Sequence, residues 1–128
     1  MAQDMFHGIV AAFMPVRDLD RAIDWYMSNM GFDLQFKDDV HHAAGLSAHN
    51  DVWLNLVQVK DHTPVAFPDN DFRVDIFFNF QAIDIDQVYR KFQENGVEIV
   101  TEIYESHDGE FRCFSAKDVD GNRINIVN

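Results

Sequence analysis

Residues 16–32, VRDLDRAIDWYMSNMGF, and residues 82–98, AIDIDQVYRKFQENGVE, carry the same grammar twice. In the first, Asp18 offers an N-cap carboxylate ahead of an apolar stripe. Leu19, Ala22, Ile23 and Tyr26 stand at i, i+3, i+4 and i+7, Met30 extends the stripe, and Gly31 sits where a left-handed C-terminal residue is needed. In the second, Asp84 precedes Ile85, Val88, Tyr89 and Phe92, and Asn95-Gly96 ends the run. Any two amphipathic helices share a stripe. The joint recurrence of cap, stripe, glycine and following strands makes an internal duplication the simplest organisation.

Working outward, the chain alternates strands and turns. Residues 6–16, FHGIVAAFMPV, form an apolar run interrupted at Pro15, which suits a strand whose last residues leave the ladder. Strands are expected at 32–38, 43–48 (where alternation is poor) and 52–59. Residues 60–71, KDHTPVAFPDND, combine prolines with Asp and Asn and read as a loop at the midpoint. The second half restarts with a strand at 72–80, FRVDIFFNF, followed after the helix by strands at 97–104, 110–117 and 122–127. The Asp120-Gly121 pair between the last two is a hairpin signal. These elements predict one α+β domain over residues 1–128, with a βαβββ module at about 6–60 and a second at about 70–128.

Composition narrows the function classes. Of 128 residues 47% are apolar, and 12 are Phe, enough for a core and for an aromatic cleft as well. Acidic residues number 22 against 10 basic ones, and the net charge of −12 repels phosphate backbones. A nucleic-acid partner is not expected, and a cationic one is weakly favoured. The single cysteine, Cys113, cannot close an intramolecular disulfide, and no Cys/His metal spacing occurs. MAQDMFHGIV lacks the basic-then-apolar order of a secretory signal, and no apolar run reaches membrane-spanning length, so a cytoplasmic chain without a membrane partner is expected.

The segments VRDLDRAIDWYMSNMGF, IDIDQVYRKFQENGVEI and FRCFSAKDVDGNRINI, in that order and spacing, resemble the vicinal oxygen chelate superfamily, also called the glyoxalase/bleomycin resistance/extradiol dioxygenase superfamily. The resemblance covers nearly the whole chain. It implies two tandem βαβββ modules forming a cupped eight-stranded mixed sheet, helices on the outer face and a cleft inside. It also implies a homodimer, since many members join or swap modules.

Metal-using members of that family place one ligand, usually His or Glu and sometimes Gln, on each of four strands. Counting from the shared landmarks, the matching positions here are Ala11 ahead of Asp18, Asn55, Phe77 ahead of Asp84, and Asn125 after Asp-Gly-Asn-Arg-Ile. Ala and Phe have no donor atom, and an Asn carbonyl is a weak, neutral one. No metal, no other cofactor and no catalytic residue is therefore expected.

Strand parity then sorts the side chains once that fold is granted. On 72–80, Val74, Ile76, Phe78 and Phe80 pack on the helices, leaving Arg73, Asp75, Phe77 and Asn79 inward. The other inward sets are Trp53, Asn55 and Val57; Arg123, Asn125 and Val127; and His7, Ile9, Ala11 and Phe13. The expected ligand-binding residues are His7, Phe13, Trp53, Asn55, Asp75, Phe77, Asn79 and Asn125. Aromatic walls with a few amides suit an aromatic organic molecule, and Asp75 suits a cationic one. His41 and His42, on a loop or strand start, and His49, His62 and His107, beside turn residues, read as incidental, Trp25 as core edge or dimer contact, and Cys113 as a packed thiol.

The leading expectation is a metal-free binding protein similar to the drug-binding, bleomycin-resistance branch, holding a small molecule between two protomers. Two alternatives stay open. A metal-dependent lyase, isomerase or dioxygenase would need His7, Asp75 and a carboxylate such as Glu102 or Glu110 to converge. A metal-free enzyme would use Asp75 or His7 as general acid or base, with the carboxylate tuned by Phe77.

Overall fold

The computed structural model describes residues 4–49, 52–106 and 108–128; His107 lies outside them. Its elements run β1 (Ala11–Val16), α1 (Leu19–Met30), β2 (Asp33–Asp38), β3 (Ala43–Ser47), β4 (Trp53–Gln58), β5 (Phe78–Gln81), α2 (Ile85–Glu94), β6 (Glu98–Ile99), β7 (Tyr104–Glu105), β8 (Arg112–Lys117) and β9 (Arg123–Val127). They form two sheets of the same design. The first has the order β1-β4-β3-β2 with β1 parallel to β4, and the second β5-β9-β8-β6 with β5 parallel to β9. β6 and β7 pair with successive stretches of β8 and are two pieces of one strand. Between them Val100 and Thr101 both donate to the Ser115 carbonyl, the signature of a bulge. Eight strand paths thus remain, as expected for this α+β fold.

Two of the eight are shorter than alternation predicts. Pairing begins at Ala11 rather than residue 6, and at Phe78 rather than residue 72. The reason lies in the neighbours. β4 starts at Trp53, opposite Ala11, and β9 runs back only to Arg123, one position before the Ile124 that faces Phe78, so the residues before Ala11 and before Phe77 overhang the end of the adjacent strand.

The helices form where caps and stripes place them. Asp18 accepts from the Arg21 N–H at 3.1 Å and Asp84 from the Gln87 N–H at 3.2 Å. Gly31 ends α1 in the left-handed region, at φ 69°. Leu19, Ala22, Ile23 and Tyr26 of α1 and Ile85 and Phe92 of α2 are buried in one core with Met14, Val16, Leu54, Leu56, Phe114, Ile124 and Ile126. Trp25 sits beside Tyr26 and Phe92, its ring centroids 4.8 and 6.2 Å from theirs, which makes it a core-edge residue.

The β8–β9 turn does more than reverse the chain, contrary to its reading as a plain hairpin turn. Asp118 and Asn122 are buried and join the two halves of the molecule. The Tyr26 hydroxyl donates to Asp118 at 2.6 Å, and the Asn122 amide donates to Asp118 at 3.0 Å and to the Pro15 carbonyl at 2.9 Å. Asn122 also accepts from the Val65 N–H at 3.1 Å, which ties down the midpoint loop. His62, 3.1 Å from the same oxygen, is part of this latch rather than incidental. Burial pushes both the Tyr26 hydroxyl and the Asp118 carboxyl above their ordinary pKa ranges.

Candidate functional site

Each sheet turns one face to the helices and leaves the other open. On the first sheet, register sets Trp53 beside Ala11 and Asn55 beside both Phe13 and Gly45. Trp53, Asn55 and Phe13 alternate with buried Leu54, Leu56 and Met14, as parity requires. Sequence reasoning missed Phe36. It pairs with Gly45, and its ring occupies the space that a Gly45 side chain would fill, together with the Asn55 oxygen. Phe36 and Trp53 form a shelf, with centroids 6.0 Å apart and planes inclined by 30°. The signal was available: Phe36 stands opposite a glycine in a hairpin. The buried Asn55 Oδ1 has no hydrogen-bond partner among the described residues.

On the second sheet, Asn125 lies between Asn79 and Ser115. Its oxygen accepts from the Ser115 hydroxyl at 3.2 Å and its nitrogen donates to the Asn79 oxygen at 2.9 Å. Asn125 is buried and both its amide atoms are engaged, so it positions Asn79 rather than offering itself to a ligand. Asn79 is exposed and keeps its amide donors. Farther along this face Tyr104 sits opposite buried Cys113. Burial, then the adjoining thiol, raises the Tyr104 hydroxyl above the ordinary phenol range.

Of the eight residues expected to line one cleft, the structure brings three to a common cavity. Trp53, Phe77 and Asn79 border a cavity of about 1050 Å³, whose walls also include Phe32, Phe78 and Phe80. The cavity is bordered by β1 through Ala12 and by all of β5. Phe13 is on the open face but 65% exposed, and it does not border this cavity. Asn55 and Asn125 lie beneath their faces. His7 is exposed on the segment before β1, outside the strand whose alternation was expected to turn it inward. Asp75 likewise precedes its strand, and it pairs with Arg123 at 2.8 Å instead of standing as an open carboxylate. Phe77 contacts the midpoint loop through Phe67, with centroids 5.1 Å apart.

These donors do not fit a metal ion. Among the described residues no three of His, Cys, Asp and Glu stand together in a way that could hold one. The convergence of His7 and Asp75 with Glu102 or Glu110 therefore does not occur, and the four positions matched to metal ligands read Ala11, Asn55, Phe77 and Asn125. Asp75, the candidate general acid or base, is paired with Arg123 at 2.8 Å. No helix among the described residues is long and apolar enough to cross a membrane.

The model of the Glyoxalase/Bleomycin resistance protein/Dioxygenase superfamily matches residues 8–126. Among solved structures, TnmS3, an antibiotic binding protein from Streptomyces sp. CB03234, superposes with a TM-score of 0.75 at 23% identity, covering 97% of each chain. TioX from Micromonospora sp. ML1 gives 0.73 at 17% identity, covering 94% of this chain and 98% of its own. Lactoylglutathione lyase from Agrobacterium tumefaciens gives 0.73 at 17% identity, covering 97% of this chain and 95% of its own. At these identities the likeness is one of fold. A search of curated proteins gave no match.

Proposed function

From the premise that this chain belongs to the Glyoxalase/Bleomycin resistance protein/Dioxygenase superfamily, we propose that it is a metal-free binding protein for a small, flat aromatic molecule. It acts as a cytoplasmic homodimer with the ligand held between protomers. One observation carries the reading: Trp53, Phe77 and the Asn79 amide border the same cavity. Aromatic faces supply stacking area, and an amide on a fixed partner supplies one directional hydrogen bond. An antibiotic-binding protein such as TnmS3 has the same fold, which makes such a ligand compatible with the architecture. Asp75, expected to meet a cationic ligand, is instead paired with Arg123.

Thermal shift against a panel of planar aromatic compounds, neutral and cationic DNA-binding antibiotics included, tests this. A ligand at a hundred times its Kd should raise stability by about 2.7 kcal/mol. Trp53→Ala should weaken that ligand roughly tenfold or more, the worth of one stacked ring. A panel in which no compound shifts the transition, in low-salt buffer as well, overturns the proposal.

A further inference from the structure

We propose that Asn55 selects the ligand. Its side-chain oxygen accepts a hydrogen bond from an O–H or N–H on the rim of the aromatic molecule, whose ring takes the place beside Trp53 that the Phe36 ring now fills. The inference rests on the aromatic-ligand reading above and narrows it to ring systems that carry a donor, phenols above all.

The internal duplication supplies the comparison. Asn55 on β4 and Asn125 on β9 hold corresponding places, each on the strand that runs between the parallel first strand and the antiparallel third strand of its module. Asn125 faces Asn79 and Ser115, and both its amide atoms are bonded. Asn55 faces Phe13 and Gly45 instead, and neither has a polar side chain. Gln35, next to Phe36 in the chain, donates to the Ser47 hydroxyl at 2.8 Å rather than to Asn55. The Asn55 oxygen is therefore buried with no partner among the described residues. Leaving a buried acceptor unbonded costs about 1–3 kcal/mol, which an arriving donor recovers. The second module satisfies this position with its own side chains, and the first does not.

The group that covers the oxygen is a ring able to move aside. Phe36 Cδ1 and Asn55 Oδ1 lie 2.7 and 2.9 Å from the point that a Gly45 Cβ would occupy, so ring and oxygen share the hollow left by the glycine. The C–H groups of a ring edge are weak donors and do not replace an O–H or N–H there. The β2–β3 register shifts between Leu34 and Phe36, the kind of irregularity that re-aims a side chain. Phe36 is 42% exposed and can rotate toward solvent, which opens the hollow. A ligand ring placed where the Phe36 ring is now meets Trp53 at about the same separation, 6.0 Å between centroids, and sets a rim substituent at Asn55. Trp53 also borders the cavity, so hollow and cavity are neighbours.

2-Naphthol and 2-methoxynaphthalene test the assignment, since the first carries an O–H and the second an ether oxygen that can only accept. Ligand-observed NMR at neutral pH gives both dissociation constants. We expect 2-naphthol to bind about tenfold or more tightly, the contribution of one hydrogen bond to a buried acceptor, although the ether is the more apolar compound. Asn55→Leu should bring the two within about twofold of each other. Equal affinity in the unaltered protein, or a preference for the ether, overturns the inference, and so does a preference for the naphthol that survives Asn55→Leu. The two constants in the unaltered protein decide the matter should that variant not fold. If neither compound binds while other planar aromatics do, the inference falls and the aromatic-ligand reading stands. A panel with no binder at all overturns both.

Discussion

Tyr26 shows how one hydroxyl can hold two halves of a protein together. It is fully buried, and its 2.6 Å bond to Asp118 crosses from α1 to the β8–β9 turn. Tyr26→Phe leaves a buried carboxylate short of one donor, and we expect a loss of about 1–3 kcal/mol in denaturant unfolding. The pH dependence has a definite sign. Burial first, and then the Asp118 charge, holds the Tyr26 pKa well above its ordinary value, whereas in the unfolded chain it titrates near about 10. Above that pH the unfolded state binds fewer protons than the folded one, so stability falls as pH rises. Denaturation midpoints measured from neutrality to about pH 11 should therefore decline, and Tyr26→Phe should flatten the decline. Tyr104, raised in the same direction, keeps the slope from vanishing. At this scale the sequence was legible for the stripe residue Tyr26 but not for its partner, because nothing local says which turn a buried phenol will meet.

The elements repeat that division. Both helices, their Asp caps and the Gly31 ending follow from spacing and local chemistry, and the burial of Leu54 and Leu56 on β4 and of Ile124 and Ile126 on β9 follows from alternation. What alternation could not supply was where pairing stops, since that depends on the length of the neighbouring strand. The β2–β3 hairpin gives an element-scale prediction. A Gly45 side chain would overlap the Phe36 ring and the Asn55 oxygen. Phe36 is 42% exposed and can swing outward, so Gly45→Ala should cost only about 1 kcal/mol while dispersing the Phe36–Trp53 shelf. Calorimetric unfolding and ligand titration on the same variant separate the two effects. A large stability loss with intact binding would show instead that the ring stays and the strand shifts.

At the scale of the whole molecule, the proposed function turns on the donor inventory. The metal-free reading proposed above has a direct test, since among the described residues no three of His, Cys, Asp and Glu stand together in a way that could hold an ion. Elemental analysis of untagged protein should find no stoichiometric metal, and ligand binding should survive exhaustive chelation. A stoichiometric ion, or binding abolished by chelator and restored by metal, would refute the metal-free reading. A ligand held between protomers, as proposed, should tighten their association, and light scattering with and without ligand reads that coupling.

The amino-acid sequence by itself determined the repeated βαβββ grammar and the helix limits, because caps and periodicity are local properties. Only the tertiary structure decided that Asp75 is neutralised by Arg123, that Asn125 serves Asn79, that Asp118 and Asn122 latch the halves, and that three of eight expected residues share a cavity. Those facts depend on which distant segments become neighbours. No periodicity within a single element encodes such a pairing.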